Sequence, residues 1–297
     1  MTETRKKMIV PDKIRKCVAF LGFKLEEGSF RLAGSVFWYG DIGGRVYAVT
    51  AEHVIDGIRK TGVNEVWFRI NKEDGDAEWF PSKLDAWFCH PTDKSLDIAI
   101  LAMGVQSDWD HRILPSVLCM TDRHMVEEEI ALGDEVFVTG LFRHHHGKKR
   151  NLPIVRIGNL ACGTDEKVVT KRFGEMDAYL IEARSIGGLS GSPVFLNLGR
   201  TRMIGGKLKQ TTSGHQRFLL LGLIHGHYDE SAAKIDGVDL LTEDVLTLER
   251  VNAGIAIVTP CYKIESLIYA YERARLNLLY TLNHCCPINI HENSSLD

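Results

Sequence analysis

The sequence has no long apolar run. Val18 to Phe23 is the longest apolar piece near the amino terminus, too short for a signal-peptide core, and nothing approaches the ~20 residues of a membrane span. It also lacks an excess of either charge. Thirty-six Lys and Arg face 39 Asp and Glu, a formal charge of -3, so neither nucleic acid nor an anionic membrane is an expected partner. Cysteines at metal-type C-x-x-C spacing are absent. Seven cysteines, an odd number with Cys285 and Cys286 adjacent, suit neither a disulfide framework nor a zinc site. The expectation is therefore a cytoplasmic protein with every thiol reduced and neither cofactor nor metal. No internal repeat or low-complexity linker divides the 297 residues, and 44% apolar content is enough for a substantial core.

What is present is a series of short runs rich in Val, Ile, Phe, Tyr and Trp, separated by Gly, Asp, Asn and Lys. They are VAFLGF, GSVFWYG, RVYAVTA, EVWFRI, LDAWFCH, DIAILAM, DEVFVTGLF, PIVRIGNLA, DAYLIEA, SPVFLNL, RFLLLGLIHG and NAGIAIVTP. Such runs read as strands of an all-β barrel or sandwich protein. Helical spacing is confined to HVIDGIRKTG after Thr50 and to YKIESLIYAYERARLNLLY. In the latter, Ile264, Leu267, Ile268, Tyr271 and Leu276 recur on one face, as expected of a closing helix packed on the strands. The polar stretch from Gln106 to Leu132 is the natural internal seam.

One loop stands out. RSIGGLSGSPVF, Arg184 to Phe195, sets Gly187, Gly188, Gly191 and Pro193 around Ser190. Glycines admit backbone angles closed to other residues, and proline cannot donate to a ladder. The segment reads either as a tight turn of small residues or as a nucleophile loop with convergent backbone N–H groups. A serine needs a base. His53 in VYAVTAEHVID lies where a strand gives way to a helical turn. Asp97 in SLDIAIL enters an apolar run, where an unpartnered carboxylate is costly. Each alone also reads as a cap. In chain order His, Asp, Ser, they match one known arrangement of a catalytic triad.

TAEHV, DIAIL and GLSGSPV together resemble the histidine, aspartate and nucleophile motifs of trypsin-like serine peptidases of the chymotrypsin fold, in their bacterial short-looped branch. LGDEVFVTG, PIVRIGNL, LLGLIHG and NAGIAIVTPCYKI are similar to that family's second-barrel strands. The resemblance implies two six-stranded antiparallel β-barrels with a C-terminal helix. Residues 16–115 are the expected first barrel, 130–260 the second, 261–280 the closing helix and 281–297 a tail. It also implies an endopeptidase in which His53 is the base, Asp97 orients it, and Ser190 forms the acyl-enzyme. The backbone N–H groups of Gly188 and Ser190 would form the oxyanion hole.

Leu189 stands where many activated members carry an aspartate, so pairing with a newly cut amino terminus is not expected. The chain ends too soon after the helix for an appended peptide-binding domain, and substrate choice is expected from loops or from a regulatory partner. By resemblance, Arg184, His225 and His227 line the substrate pocket and would favour acidic or small polar side chains. The alternative is that Arg184 pairs locally and the histidines enter hydrogen-bonded turns. RHHHGKKR, 143–150, reads as a solvated hairpin loop rather than a metal or phosphate site. Trp67, Trp79 and Trp87 read as core or edge packing. The alternative to an active enzyme is a silent module that binds peptides in the same cleft by strand addition.

Overall fold

A computed structural model describes residues 10–93, 95–142, 145–170, 172–183, 189–210, 217–227 and 254–285, with side chains for all but 227 and 282–285. In the amino-terminal half, eight strands form one sheet. They are β1 (Val18–Lys24), β2 (Phe30–Gly40), β3 (Val46–Thr50), β4 (Glu65–Asn71), β5 (Ala77–Lys83), β6 (Phe88–Cys89), β7 (Ala99–Ala102) and β8 (Leu114–Pro115). The order is β5-β4-β1-β2-β3-β7-β6, with β8 parallel to β2 and every other pair antiparallel.

The second half carries β9 (Glu135–Gly140), β10 (Ile154–Cys162), β11 (Val168–Thr170), β12 (Gly174–Met176), β13 (Tyr179–Glu182) and β14 (Pro193–Asn197). β15 (Thr201–Ile204), β16 (Lys207–Gln210), β17 (Phe218–His227) and β18 (Ile255–Pro260) follow. Six of these close a barrel in the order β10-β13-β18-β17-β14-β9, while β11-β12 and β15-β16 are separate hairpins. The second barrel therefore has the expected six strands. The first half has more, and among the described residues no ladder joins β5 to β6. AEWFPSK supplies an additional strand at the sheet edge, where Pro81 is tolerated. LDAWFCH is mostly a 3-10 turn, Leu84–Ala86, leaving β6 only two residues.

One contiguous core runs through both halves. It includes Leu21, Phe37, Trp38 and Phe68 from the first sheet, and Phe137, Phe195 and Leu220 from the barrel. Among the described residues four helices accompany the strands: α1 (Asp12–Arg15), α2 (Glu52–Arg59), α3 (Asp122–Glu127) and α4 (Tyr262–Cys285). α4 buries Ile264, Leu267 and Ile268 as its spacing predicts, whereas Leu276 is exposed. The helix docks on the first half through polar contacts. Tyr39 Oη donates to Glu265 at 2.7 Å and Tyr47 Oη to Glu272 at 3.0 Å. None of the described helices is long and apolar enough to cross a membrane.

The cysteine expectation is corrected. Cys119 and Cys261 form a disulfide, with Cα atoms 5.8 Å apart. Cys119 lies just after the 3-10 turn Ser116–Leu118, and Cys261 lies between β18 and α4. The fold brings them together across 142 residues, a pairing that neither count nor local spacing reveals. Cys17, Cys89 and Cys162 are free. A reducing compartment then has no support from the cysteines.

The histidine-rich loop is packed as well as solvated. Arg69 on β4 donates to the carbonyls of Gly147 and Lys148, both at 2.9 Å, and Arg150 pairs with Asp110 at 2.8 Å. Arg143 and His144 lie outside the described residues. Trp67 and Trp79 pack around Phe30, and Trp87 against Phe68.

Candidate active site

α2 begins directly after β3, so His53, its second residue, is held at the end of that strand. The helix buries Val54, Ile55 and Ile58, and this fixes the face that carries His53. Asp97 sits between buried Leu96 and Ile98, just before β7, which pairs with β3. The two residues meet because their strands are neighbours. Asp97 Oδ2 lies 2.7 Å from His53 Nδ1, and its Oδ1 accepts the His53 backbone N–H at 2.9 Å. A two-point attachment of this kind sets both the position and the rotation of the imidazole.

Ser190 lies on the turn between Leu189 and β14. Its carbonyl accepts the N–H of Ser35 on β2 at 3.0 Å. The next residue, Gly191, has φ +80°, and its N–H donates to Ile224 O on β17 at 2.9 Å. A Cβ at Gly191 would strike Thr50 Oγ1 and Ser35 O and lie 3.1 Å from Ala51 N. The loop is therefore pressed onto the end of β3, where α2 starts. Gly34 makes the same point from the other side. The place its side chain would fill lies 2.9 Å from Val54, the neighbour of His53, and 3.1 Å from Ser190 O. The fold thus brings Ser190 and the His53–Asp97 pair into one region.

His225, expected at the pocket wall, reaches the same carboxylate. Its Nδ1 lies 2.5 Å from Asp97 Oδ2, and its ring is 5.6 Å from that of His53. Phe173, at the tip of the β11–β12 hairpin, packs edge-on against it at 5.2 Å. The adjacent Arg172 binds Asp56 on α2 at 2.7 Å. No cue local to LLGLIHG announces this contact, because its partner is 128 residues away. Gly188 and Arg184 lie outside the described residues, as does the side chain of His227.

Asp97 is fully buried. Burial alone would raise its carboxyl. The charge of His53 and the hydrogen bonds from His225 and His53 outweigh that, and hold it well below the usual carboxylate range. A carboxylate only accepts, so both Nδ1 atoms carry the hydrogen. In the neutral rings each Nε2 is then left as an acceptor, the form a general base requires. The ligating atoms of His53, Asp97 and His225 lie within 4.8 Å of one another. They do not fit a metal as arranged. Separations of 2.5 and 2.7 Å are shorter than the roughly 3.3 Å edge of a tetrahedral site with bonds of about 2.0 Å.

This architecture, a closed barrel and a second sheet meeting at such a site, is the trypsin-like serine-protease fold. Among solved structures, the protease domain of MamO from Magnetospirillum magneticum is 14% identical, with a TM-score of 0.51 over 86% of this chain and 97% of that one. Deg5 is 14% identical with a TM-score of 0.41, covering 71% of this chain and 80% of that one. Rv3671c from M. tuberculosis, in an inactive mutant form, is 16% identical with a TM-score of 0.43, covering 86% and 87%. No family model and no curated protein matches the sequence.

Proposed function

We propose that this chain is a serine endopeptidase acting on protein or peptide substrates. The observation that carries the reading is the buried Asp97 carboxylate bound twice by His53, at 2.7 and 2.9 Å, beside the loop that holds Ser190. His53 Nε2 takes the Ser190 proton as the hydroxyl attacks the carbonyl carbon. Asp97 keeps the imidazole in the required tautomer and stabilises the imidazolium. The proton then passes to the leaving amine, the C–N bond breaks, and water hydrolyses the acyl-enzyme by the same route in reverse roles. The N–H groups of Ser190 and, by resemblance, Gly188 receive the oxyanion. One such donor is typically worth about a hundred- to a thousandfold in rate.

The test is a peptide library digested by the full chain and read by mass spectrometry. New termini should appear with the wild type and be lost with Ser190→Ala. Cleavage that persists in Ser190→Ala contradicts the proposal. So does a folded wild type that retains library peptides uncut, the behaviour of a binding module. Arg184→Ala tests the expected acidic preference in the same assay. Dominant cleavage after Lys or Arg, or unchanged selectivity of the variant, removes that expectation.

A further inference from the structure

We infer that His225 is a second imidazole on the catalytic carboxylate, a positioning residue that shares Asp97 with His53 and sets how the base responds to protons. The inference rests on the endopeptidase reading above. Its basis is the single oxygen Asp97 Oδ2, 2.7 Å from His53 Nδ1 and 2.5 Å from His225 Nδ1, with Oδ1 occupied by the His53 backbone N–H at 2.9 Å. Asp97 is fully buried, so these three donors replace water around it.

Two consequences follow. First, the hydrogen bond from His225 draws electron density from the oxygen that His53 depends on, so the carboxylate supports the His53 imidazolium less than an unshared one does. Second, the rings are 5.6 Å apart. A charge on one ring therefore sits beside the other across a single anion, and the two sites are electrostatically coupled. His225 cannot swing away freely, because Phe173 packs on its ring edge and the Phe173 hairpin is tied to α2 by Arg172–Asp56. Among the described residues, the other charged or titratable groups near this site are Glu52 beside His53, Asp56 with its partners Arg59 and Arg172, and Cys89 on β6. Asp97 is the carboxylate that touches both rings.

The experiment combines pH profiles of kcat/KM with NMR titration of the ring nitrogens in the full chain. His225→Ala should move the acid limb of kcat/KM upward by roughly one pH unit, because the carboxylate is no longer shared. The plateau should fall about tenfold as Asp97 loses an anchor. His225→Asn, whose side-chain amide reaches near the Nδ1 position but does not titrate, should recover about fivefold of that loss. Its acid limb should follow one proton, against two coupled protons in the wild type. In Ser190→Ala protein, the nitrogen signals of His53 and His225 should each respond to the other's titration. Superimposable pH profiles for wild type and His225→Ala, or independent ring titrations, overturn the inference. Coupled titration in a protein that cleaves nothing refutes the endopeptidase reading but leaves the shared carboxylate standing. Cleavage with uncoupled rings does the opposite.

Discussion

Replacing Gly191 with alanine should disable the serine loop through two separable effects. The residue has φ +80°, in the left-handed region where an L side chain costs about 1–2 kcal/mol. The added Cβ also meets Thr50 Oγ1 and Ser35 O inside any normal contact distance, and overpacking of this kind costs roughly 1–3 kcal/mol. Both obstacles are backbone or short, hydrogen-bonded groups, since Thr50 Oγ1 itself donates to Ser35 O at 2.7 Å. Neither yields easily. If the loop stays in place, the chain loses about 3 kcal/mol, a drop in Tm of roughly 6–12 °C. If the loop shifts instead, it surrenders Gly191 N–H to Ile224 O and Ser35 N–H to Ser190 O. Ser190 then moves relative to His53, where a displacement of about 1 Å is enough to cost a hundredfold in rate. Thermal denaturation, read beside the rate of active-serine labelling, covers both routes. A Gly191→Ala protein with wild-type Tm and wild-type labelling refutes the reasoning.

Gly57→Ala on α2 is the contrasting case, because open space surrounds that position. It should stabilise by about 0.4–1 kcal/mol in urea unfolding, and a loss of stability would mean that α2 is not packed as described. Asp97 gives a pH dependence. Its carboxyl is held low in the fold, so its contribution to stability is complete above the unfolded value of about 3.9 and is lost as pH falls toward the lower folded value. The stability gap between wild type and Asp97→Asn should be level above about pH 5 and close below about pH 4; a gap that widens on acidification contradicts the assignment. Non-reducing peptide mapping should recover Cys119 linked to Cys261, and reduction should cost about 2–5 kcal/mol. Finding both thiols free in native protein would remove the bridge.

The core strands were legible because each carries its own apolar pattern, and α2 and α4 because their spacing is helical. The missed elements carry weaker patterns. β16, Lys207–Gln210, is exposed at every position, so no alternation marks it. A turn signal was nonetheless present, since Gly205 and Gly206 both have positive φ, +57° and +72°, in the two-residue turn joining β15 to β16. β5 was obscured by Pro81, which an edge strand accommodates. His53 and Asp97 could be singled out because each sits where a pattern changes. The engagement of His225 and the Cys119–Cys261 bridge could not, because each depends on contacts made only after the strands have assembled.

The central claim is that Ser190 is an activated nucleophile with His53 as its base. Incubation with a fluorophosphonate probe, followed by mapping of the modified residue, tests it without a known substrate. One adduct is expected, on Ser190, absent in Ser190→Ala and heavily reduced in His53→Ala. Undiminished labelling of Ser190→Ala, or no adduct on well-folded wild-type protein, would contradict it.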